Sequence, residues 1–334
     1  MPGARVQLPI VPASFFGIVL GVAGLGAAWR QAHAAWGVPA IVGEALMGVA
    51  TAVWAALVLL YVAKWVSARA AALSEARHPV QCCFVGLVGV ATLLIAGAVL
   101  PYSRLAAQSL FAIGAVYTLV FAVWRTGVLW QGGRDECSST PVLYLPTVAG
   151  GFVTATTASA LGRPDWGALA FGAAVFSWLA IESVLLHRLY MAPALAPALR
   201  PTLGIQLAPP TVGAVAYLSV SGGDSGLLTQ AMLGYGLFQA VLLLRLLPWV
   251  HEQHASAAYW AFSFGATSIA TASILMVRHG ATAAVVEIAP VLFIGSNILI
   301  ALLAASTVWL MAKGRLLPRQ PPPTDSEAPL SARV

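Results

Sequence analysis

Ten long apolar runs constrain the fold of this chain more than any other feature of its sequence. Most are 17–24 residues long, which is enough for an α-helix to cross a hydrocarbon core of about 30 Å. Their pattern differs from the alternating ten-residue segments of membrane β-barrel strands. The predicted spans are 13–29, 40–62, 82–101, 108–129, 142–161, 166–187, 202–220, 226–249, 257–277 and 284–311. The sequence therefore predicts an all-α integral membrane protein with ten transmembrane helices.

The composition excludes a soluble protein. Only 8% of the residues are charged and 60% are apolar, whereas an average soluble domain carries about 25% charged residues. The net charge is +6, but the basic residues stand between the apolar runs. A lipid bilayer accounts for them better than nucleic acid does, so no nucleic-acid partner is expected.

Lysine and arginine residues predict the orientation in the membrane. With ten spans, both chain termini lie on one side, and that side receives thirteen of the seventeen basic residues. The other four are Arg30, Arg104, Arg163 and Arg278. Both termini are therefore predicted to be cytoplasmic. Residues 1–311 form one transmembrane domain in this interpretation, and the proline-rich, polar residues 312–334 form a disordered cytoplasmic tail.

The spans pair into five helical hairpins, because the loops on the non-cytoplasmic side are mostly short. The first helix of each hairpin is rich in Gly, Ala, Ser and Thr, and the second is bulkier. Small residues suit close helix packing or the lining of a pathway, and bulky ones suit lipid. Similar early positions, 53–68 residues apart, are marked by Phe16, Phe84, Pro146, Pro209 and Phe262. The pattern predicts five related hairpins, although generic packing of small residues explains it equally well.

The charged residues, histidines and cysteines of the sequence give little support to an enzymatic or metal-dependent function. Glu182 lies near the end of the sixth span, where it either forms an ion pair or couples protons to transport in a carrier. All six histidines lie in loops or at span ends, and no His/Cys spacing matches a metal site. No enzyme activity, metal or cofactor is therefore expected.

Six stretches along nearly the whole chain match a known family in order. They are FFGIVLG at 15–21, LWQGG at 129–133, YLPTVAGGF at 144–152, LAPPTVGAVAYLS at 207–219, GYGLFQAVLLLRLLPW at 234–249 and WAFSFG at 260–265. The chain resembles the tellurite-resistance/dicarboxylate transporter family, which includes bacterial tellurite resistance proteins and the plant slow anion channels. The resemblance implies a homotrimer in the bacterial inner membrane, with one pore in each protomer. In each pore five inner helices surround the axis with quasi-five-fold symmetry, and small anions are conducted. It also implies that a phenylalanine of the ninth helix closes the pore, and by motif position this residue is Phe264.

Helix geometry separates Phe264 from the neighbouring ring of Phe262. Residues two apart on a helix point about 200° apart, so these two rings cannot both face one pore. The face of Phe264 carries hydroxyl groups and is predicted to line the pathway, while Phe262 is predicted to pack between helices. A ring that fills an ordinary gap between helices is the alternative. The predicted lining residues are Phe16, Gly17, Pro146, Pro209, Ala261, Thr267, Ser268 and Thr271.

Two functions remain open from the sequence. The favoured one is a passive channel for small inorganic anions such as chloride and nitrate, because the five inner spans contain no Asp or Glu and cation pathways use carboxylates or carbonyls. The alternative is a secondary transporter for C4-dicarboxylates or for oxyanions such as tellurite, with Glu182 as the coupling residue.

Overall fold

The computed structural model describes residues 9–253 and 256–317 of the 334-residue chain. In chain order the helices are α1 Ala13–Trp36, α2 Ala40–Ser67, α3 Arg69–Arg77, α4 Gln81–Val99, α5 Arg104–Trp130, α6 141–160, α7 Pro164–Met191, α8 Pro197–Val220, α9 Leu227–Val250, α10 Ala257–Arg278 and α11 Ala283–Ala312. Within the described ranges, nine of them are long and apolar enough to cross a membrane. The predicted all-α membrane fold is confirmed, and the count of ten crossings stays a prediction.

Two sets of long helices differ in how deeply they are buried. In α1, α4, α8 and α10, 67–78% of the apolar window is buried inside the protein. In α2, α5, α7, α9 and α11 the same fraction is 17–33%. The first set therefore forms the inside of the molecule, and the second presents bulky side chains to the surroundings, as lipid requires.

The inner helices form a closed ring. Helix α1 packs against α4 and α10, α4 against α6, α6 against α8, and α8 against α10. Each outer helix covers the junction between two inner ones, so that α2 packs against α1 and α4, and α11 against α10 and α1. This arrangement agrees with an inner and an outer set of helices, while an exact five-fold relation stays a prediction.

Small residues let α1 and α10 approach closely. A Cβ atom on Gly21 would lie 2.5 Å from Ser263 Oγ, and one on Gly24 would lie 2.2 Å from Thr267 Oγ1. Both distances are far shorter than van der Waals contact. The glycines of α1 that the close packing requires are therefore Gly21 and Gly24. At Gly17 a Cβ would be 3.7 Å from Trp260 Cβ, an ordinary contact.

Every inner helix begins with a segment that is not α-helical. Helix α1 starts with a 3₁₀ turn at Ala13–Phe15, and longer 3₁₀ segments start α4 and α10. Helix α8 starts with the 3₁₀ segment Pro197–Leu207. Helix α6 passes from 3₁₀ through a π turn at Leu145–Ala149 into an α-helix. The hydrogen bonds of a 3₁₀ segment have poorer geometry than those of an α-helix. The beginnings of all five inner helices lie at one end of the ring.

Two connecting segments at this end have defined structure. The stretch between the second and third predicted spans contains the nine-residue helix α3. After α11 the chain turns at Gly314, whose φ is +63°, and the N–H of Arg315 donates to the carbonyl of Leu310 at 2.9 Å. Leu316 and Leu317 then pack against the core. Of the predicted tail, residues 318–334 lie outside the described residues.

Candidate functional site

A cavity of about 660 Å³ lies between the beginnings of the five inner helices. It reaches the surface, because the exposed residues Ser74, His78 and Ala198 border it. Its rim is formed by α3, by the first turns of α8 and α10, and by residues 315–317. The cavity thus extends inward along the axis of the helix ring.

The deep end of the cavity is apolar. The inner helices all enter the ring from the same end, so the last bordering residue of each marks how deep the cavity reaches along that helix. These residues are Leu20, Leu87, Phe152, Val212 and Phe264. All five are buried, with 0–9% of their surface exposed. An ion that moved further would have to leave its hydration water at this ring, which we name the apolar ring.

The predicted lining residues fall into two groups. Gly17, Pro209, Ala261 and Phe264 border the cavity. The others do not border it, although all of them belong to the described residues. The ring of Phe16 packs edge-on against Tyr61 at 6.0 Å between centroids.

The remaining predicted lining residues are buried and do not border the cavity. Pro146 is buried in the π turn of α6, between cavity-lining neighbours. Thr267, Ser268 and Thr271 follow Phe264 along α10 and are also buried. The hydroxyls of Thr267 and Thr271 donate to carbonyls of their own helix at 2.9–3.1 Å.

The rings of Phe262 and Phe264 have different surroundings. Phe264 stands at the deep end of the cavity, whereas Phe262 packs against α8, where a Cβ on Gly204 would lie 2.6 Å from the Phe262 ring. Phe262 also stacks on Tyr259, with 6.5 Å between the ring centroids. One ring therefore faces open space and the other fills a helix interface.

The five inner helices place no acidic or basic side chain on the cavity wall in the described ranges; the charged residues that border the cavity are Glu75 of α3 and Arg315. Glu75 accepts a hydrogen bond from the backbone N–H of Ala13 at 2.8 Å and from the Lys64 ammonium at 2.7 Å. The Lys64 and Glu75 side chains are only 4% and 8% exposed. The one carboxylate of the wall is thus neutralised by a buried cation.

Three cations are buried near this end of the molecule. Lys64, Arg125 and Arg188 are each 4–8% exposed. Lys64 donates to the Val11 carbonyl at 3.2 Å, and Arg125 to the Pro79 carbonyl at 3.3 Å. Both carbonyls lie two residues before an inner helix. Arg125 and Arg188 form no ion pair with a described residue and do not border the cavity, so their charge acts on it only through the long-range field.

Arg134 adds a further cation in the connection between α5 and α6. Burial lowers its pKa, and a guanidinium nevertheless stays charged at neutral pH. The guanidinium of Arg134 donates to the carbonyl of Ser138 at 2.5 Å. This cation therefore reinforces the positive potential around the beginning of α4.

Glu182 lies behind the cavity wall. Its carboxylate accepts hydrogen bonds from the hydroxyls of Tyr144 at 2.5 Å and Tyr235 at 2.6 Å, and from Trp178 Nε1 at 2.8 Å. Tyr144 borders the cavity and Glu182 does not. The carboxylate therefore holds three helices together and reaches the cavity only through Tyr144.

The two adjacent cysteines lie at the start of α4. Cys82 and Cys83 are free and fully buried, with 4.0 Å between their sulfur atoms. Across residues 9–253 and 256–317, no group of three or more His, Cys, Asp or Glu side chains is arranged to hold a metal ion.

Four members of the apolar ring and Glu75 were not predicted from the sequence. The apolar ring has a signal in the sequence, because each of its members follows another cavity-lining residue by about one helical turn. The pairs are Gly17 and Leu20, Phe84 and Leu87, Ala149 and Phe152, Pro209 and Val212, and Ala261 and Phe264. Each pair is three residues apart, so both members lie on one helix face. Glu75 gave no such signal, since its partners are distant in sequence.

The chain is similar to known proteins over most of its length. The family model described as SLAC1, voltage-dependent anion channel, matches residues 11–308. The chain is also 37% identical over 306 residues to a tellurite resistance protein TehA homolog of Haemophilus influenzae. That alignment covers 91% of this chain and 92% of the relative.

Proposed function

Because this chain belongs to the SLAC1 family of voltage-dependent anion channels, we propose that its cavity is one half of a passive pathway for small inorganic anions such as chloride and nitrate. The observation that carries the proposal is the cavity of about 660 Å³ that runs into the helix ring and ends at five apolar side chains. A wide vestibule followed by a dry constriction is how hydrophobic gates hold back ions.

The charges around the cavity favour anions over cations. Inner-helix residues contribute neither acidic nor basic side chains to the described wall, and Lys64 pairs with the carboxylate of Glu75. Buried Arg125 and Arg188 add positive potential in a region of low dielectric constant, where it is poorly screened. A cation pathway would need carboxylates or exposed carbonyls as ligands.

Phe264 is the proposed gate. Of the two aromatic residues in the apolar ring, it is the one at the position that the family resemblance assigns to the gate. It is 9% exposed, and its ring lies close to Gly24 of α1. In this proposal the phenyl ring closes the path between the cavity and the other half of the channel.

Electrical recording from purified protein in planar bilayers tests the proposal. We expect solutions of sodium chloride and sodium nitrate to carry current. A sodium gluconate solution of the same concentration should carry much less, because gluconate is too large for an apolar constriction. Unitary current steps would support a channel. A cation-selective reversal potential would contradict the proposal.

A proton-coupled carrier is the second candidate, and the Tyr144–Glu182 hydrogen bond is the observation that favours it. Tyr144 borders the cavity, so in this candidate its hydroxyl would pass protons between the cavity and the carboxylate. In the channel proposal Glu182 has a structural role. We expect Glu182→Gln to keep passive anion current within about twofold of wild type, because glutamine retains an acceptor for Tyr144.

Uptake of labelled succinate into liposomes, with and without a pH gradient, distinguishes the two candidates. The conservative Tyr235→Phe variant is the control, since it removes one donor to Glu182 and leaves the carboxylate in place. Saturable, pH-driven uptake that disappears in Glu182→Gln and persists in Tyr235→Phe would favour the carrier.

We propose that the chain forms a homotrimer in the bacterial inner membrane with both termini in the cytoplasm, which would make the cavity cytoplasmic. Single cysteines introduced at Ser221, which is exposed beside the loop 222–224, and at Lys313 in a background without native cysteines test the orientation. A membrane-impermeant maleimide should label intact cells at residue 221 and not at residue 313. Labelling at residue 313 from outside would reverse the topology.

A further inference from the structure

We infer that Lys64, Tyr61 and the first amide of α1 form a binding site for a small anion at the rim of the cavity, and that the carboxylate of Glu75 occupies this site in the structure. The site is separate from the apolar ring and from Phe264. Its ligand is an anion of about the size of a carboxylate group, such as chloride, nitrate or formate.

The three donors converge on one carboxylate. Glu75 Oε1 accepts from the N–H of Ala13 at 2.8 Å. Glu75 Oε2 accepts from Lys64 Nζ at 2.7 Å and from the hydroxyl of Tyr61 at 3.3 Å. An ammonium, a phenol and the first N–H of a long helix are donors that bind anions well. The carboxylate therefore demonstrates that the arrangement accommodates a negative charge.

The anion and its donors come from different parts of the fold. Tyr61 and Lys64 belong to α2, and Ala13 begins α1, so the donors are held by two long helices. Glu75 belongs to the nine-residue helix α3, which connects α2 to α4. The donors would therefore stay in position if the side chain of Glu75 were removed or moved away.

The carboxylate can be reached from the cavity. Glu75 borders the cavity with 8% of its side chain exposed, and Lys64 lies behind it with 4% exposed. An anion that enters the cavity meets Glu75 first and competes with it for the same three donors. Without either anion, Lys64 would be a buried cation whose one remaining acceptor among the described residues is the Val11 carbonyl, which is unfavourable.

Thermal unfolding of the full-length protein in detergent tests the site without measuring transport. The melting temperature is measured at one ionic strength in the sodium salts of HEPES, chloride, nitrate and formate. HEPES carries a sulfonate on a bulky ring and no carboxylate, so in Glu75→Ala we expect the lowest value in HEPES and an increase of at least about 3 °C in the three small anions, because a ligand stabilises the state that binds it.

Three proteins serve as controls. In wild type, the resident carboxylate should leave only a small difference among the salts. Glu287→Ala removes an exposed carboxylate of α11 and should behave like wild type. Glu75→Ala combined with Lys64→Met removes both charges of the pair, so its dependence on small anions should also be lost.

Equal melting temperatures of Glu75→Ala in all four salts would overturn the inference, and so would an anion response that persists without Lys64. If Glu75→Ala does not fold, Glu75→Gln undergoes the same measurement, since glutamine keeps an acceptor for the Ala13 N–H and lacks the charge. This site rests on the proposed function only for the class of its ligand, a small anion. A protein that binds small anions here and conducts none would contradict the channel and leave this site intact.

Discussion

Replacing Phe264 with alanine is expected to raise the basal anion conductance at least about tenfold, which corresponds to a barrier lower by about 1.4 kcal/mol. The phenyl ring ends the cavity on one side and lies close to Gly24 on the other. Its removal would join the emptied space to the cavity, so that water and ions can enter. Phe264→Leu should give a smaller increase, because leucine keeps much of the apolar volume. Planar-bilayer recording at matched protein amounts measures both.

Phe262→Ala is the matched control for this experiment. It removes a ring two residues away that packs against Gly204 of α8. Loss of a buried phenylalanine of this kind destabilises a protein by about 3–5 kcal/mol, so the variant should melt at a lower temperature with little basal current. If Phe262→Ala raised the conductance and Phe264→Ala did not, Phe262 and not Phe264 would face the pathway. No opening by either would remove Phe264 as the gate and favour the carrier.

Gly17→Asp is expected to abolish most of the anion current. Gly17 borders the cavity, and a Cβ there would make only an ordinary contact with Trp260. The added carboxylate would therefore fit and would face the pathway. At a separation of about 6 Å and an effective dielectric constant of about 20, it repels a passing anion by about 3 kcal/mol. That energy corresponds to roughly a hundredfold lower occupancy.

Two neighbouring substitutions separate charge from size at this position. The side chain in Gly17→Asn has nearly the same volume as that in Gly17→Asp and carries no charge. Gly17→Ala adds only a methyl group and shows the effect of losing the glycine itself. Both should keep most of the chloride current. The current of Gly17→Asp should also recover as the pH is lowered and the carboxylate is protonated. Equal loss in the Asp and Asn variants would mean that size, and not charge, blocks the path.

The class of fold was predictable from the sequence because a membrane leaves a chain few choices. Backbone groups in hydrocarbon must be paired within the protein, so long apolar runs become helices. The small residues of α1 and α10 also distinguished inner helices from bulky outer ones such as α2 and α11. The close contacts at Gly21 and Gly24 give the physical reason, since larger side chains would separate α1 from α10.

The candidate site was predictable only in part. Motif position and helix geometry selected Phe264, which stands at the end of the cavity. The recurring early position in the five hairpins placed Phe16 and Pro146 on the lining, whereas the Phe16 ring packs against Tyr61 and Pro146 is buried in the π turn of α6. The 3₁₀ and π turns at the beginnings of the inner helices rotate side chains away from the positions expected of a regular α-helix. A face assignment made with α-helical geometry therefore becomes unreliable in those turns.

The amino-acid sequence alone determined that this chain lies in a membrane, that its long segments are helices, and which of them are lined with small residues. The tertiary structure decided how these helices meet. It brought Leu20, Leu87, Phe152 and Val212 to the deep end of one cavity with Phe264. It also placed Glu75 against Lys64 and the first amide of α1. Apolar length and composition act locally and can be read along the chain, whereas a ring of five helices and a buried ion pair exist only where distant segments converge.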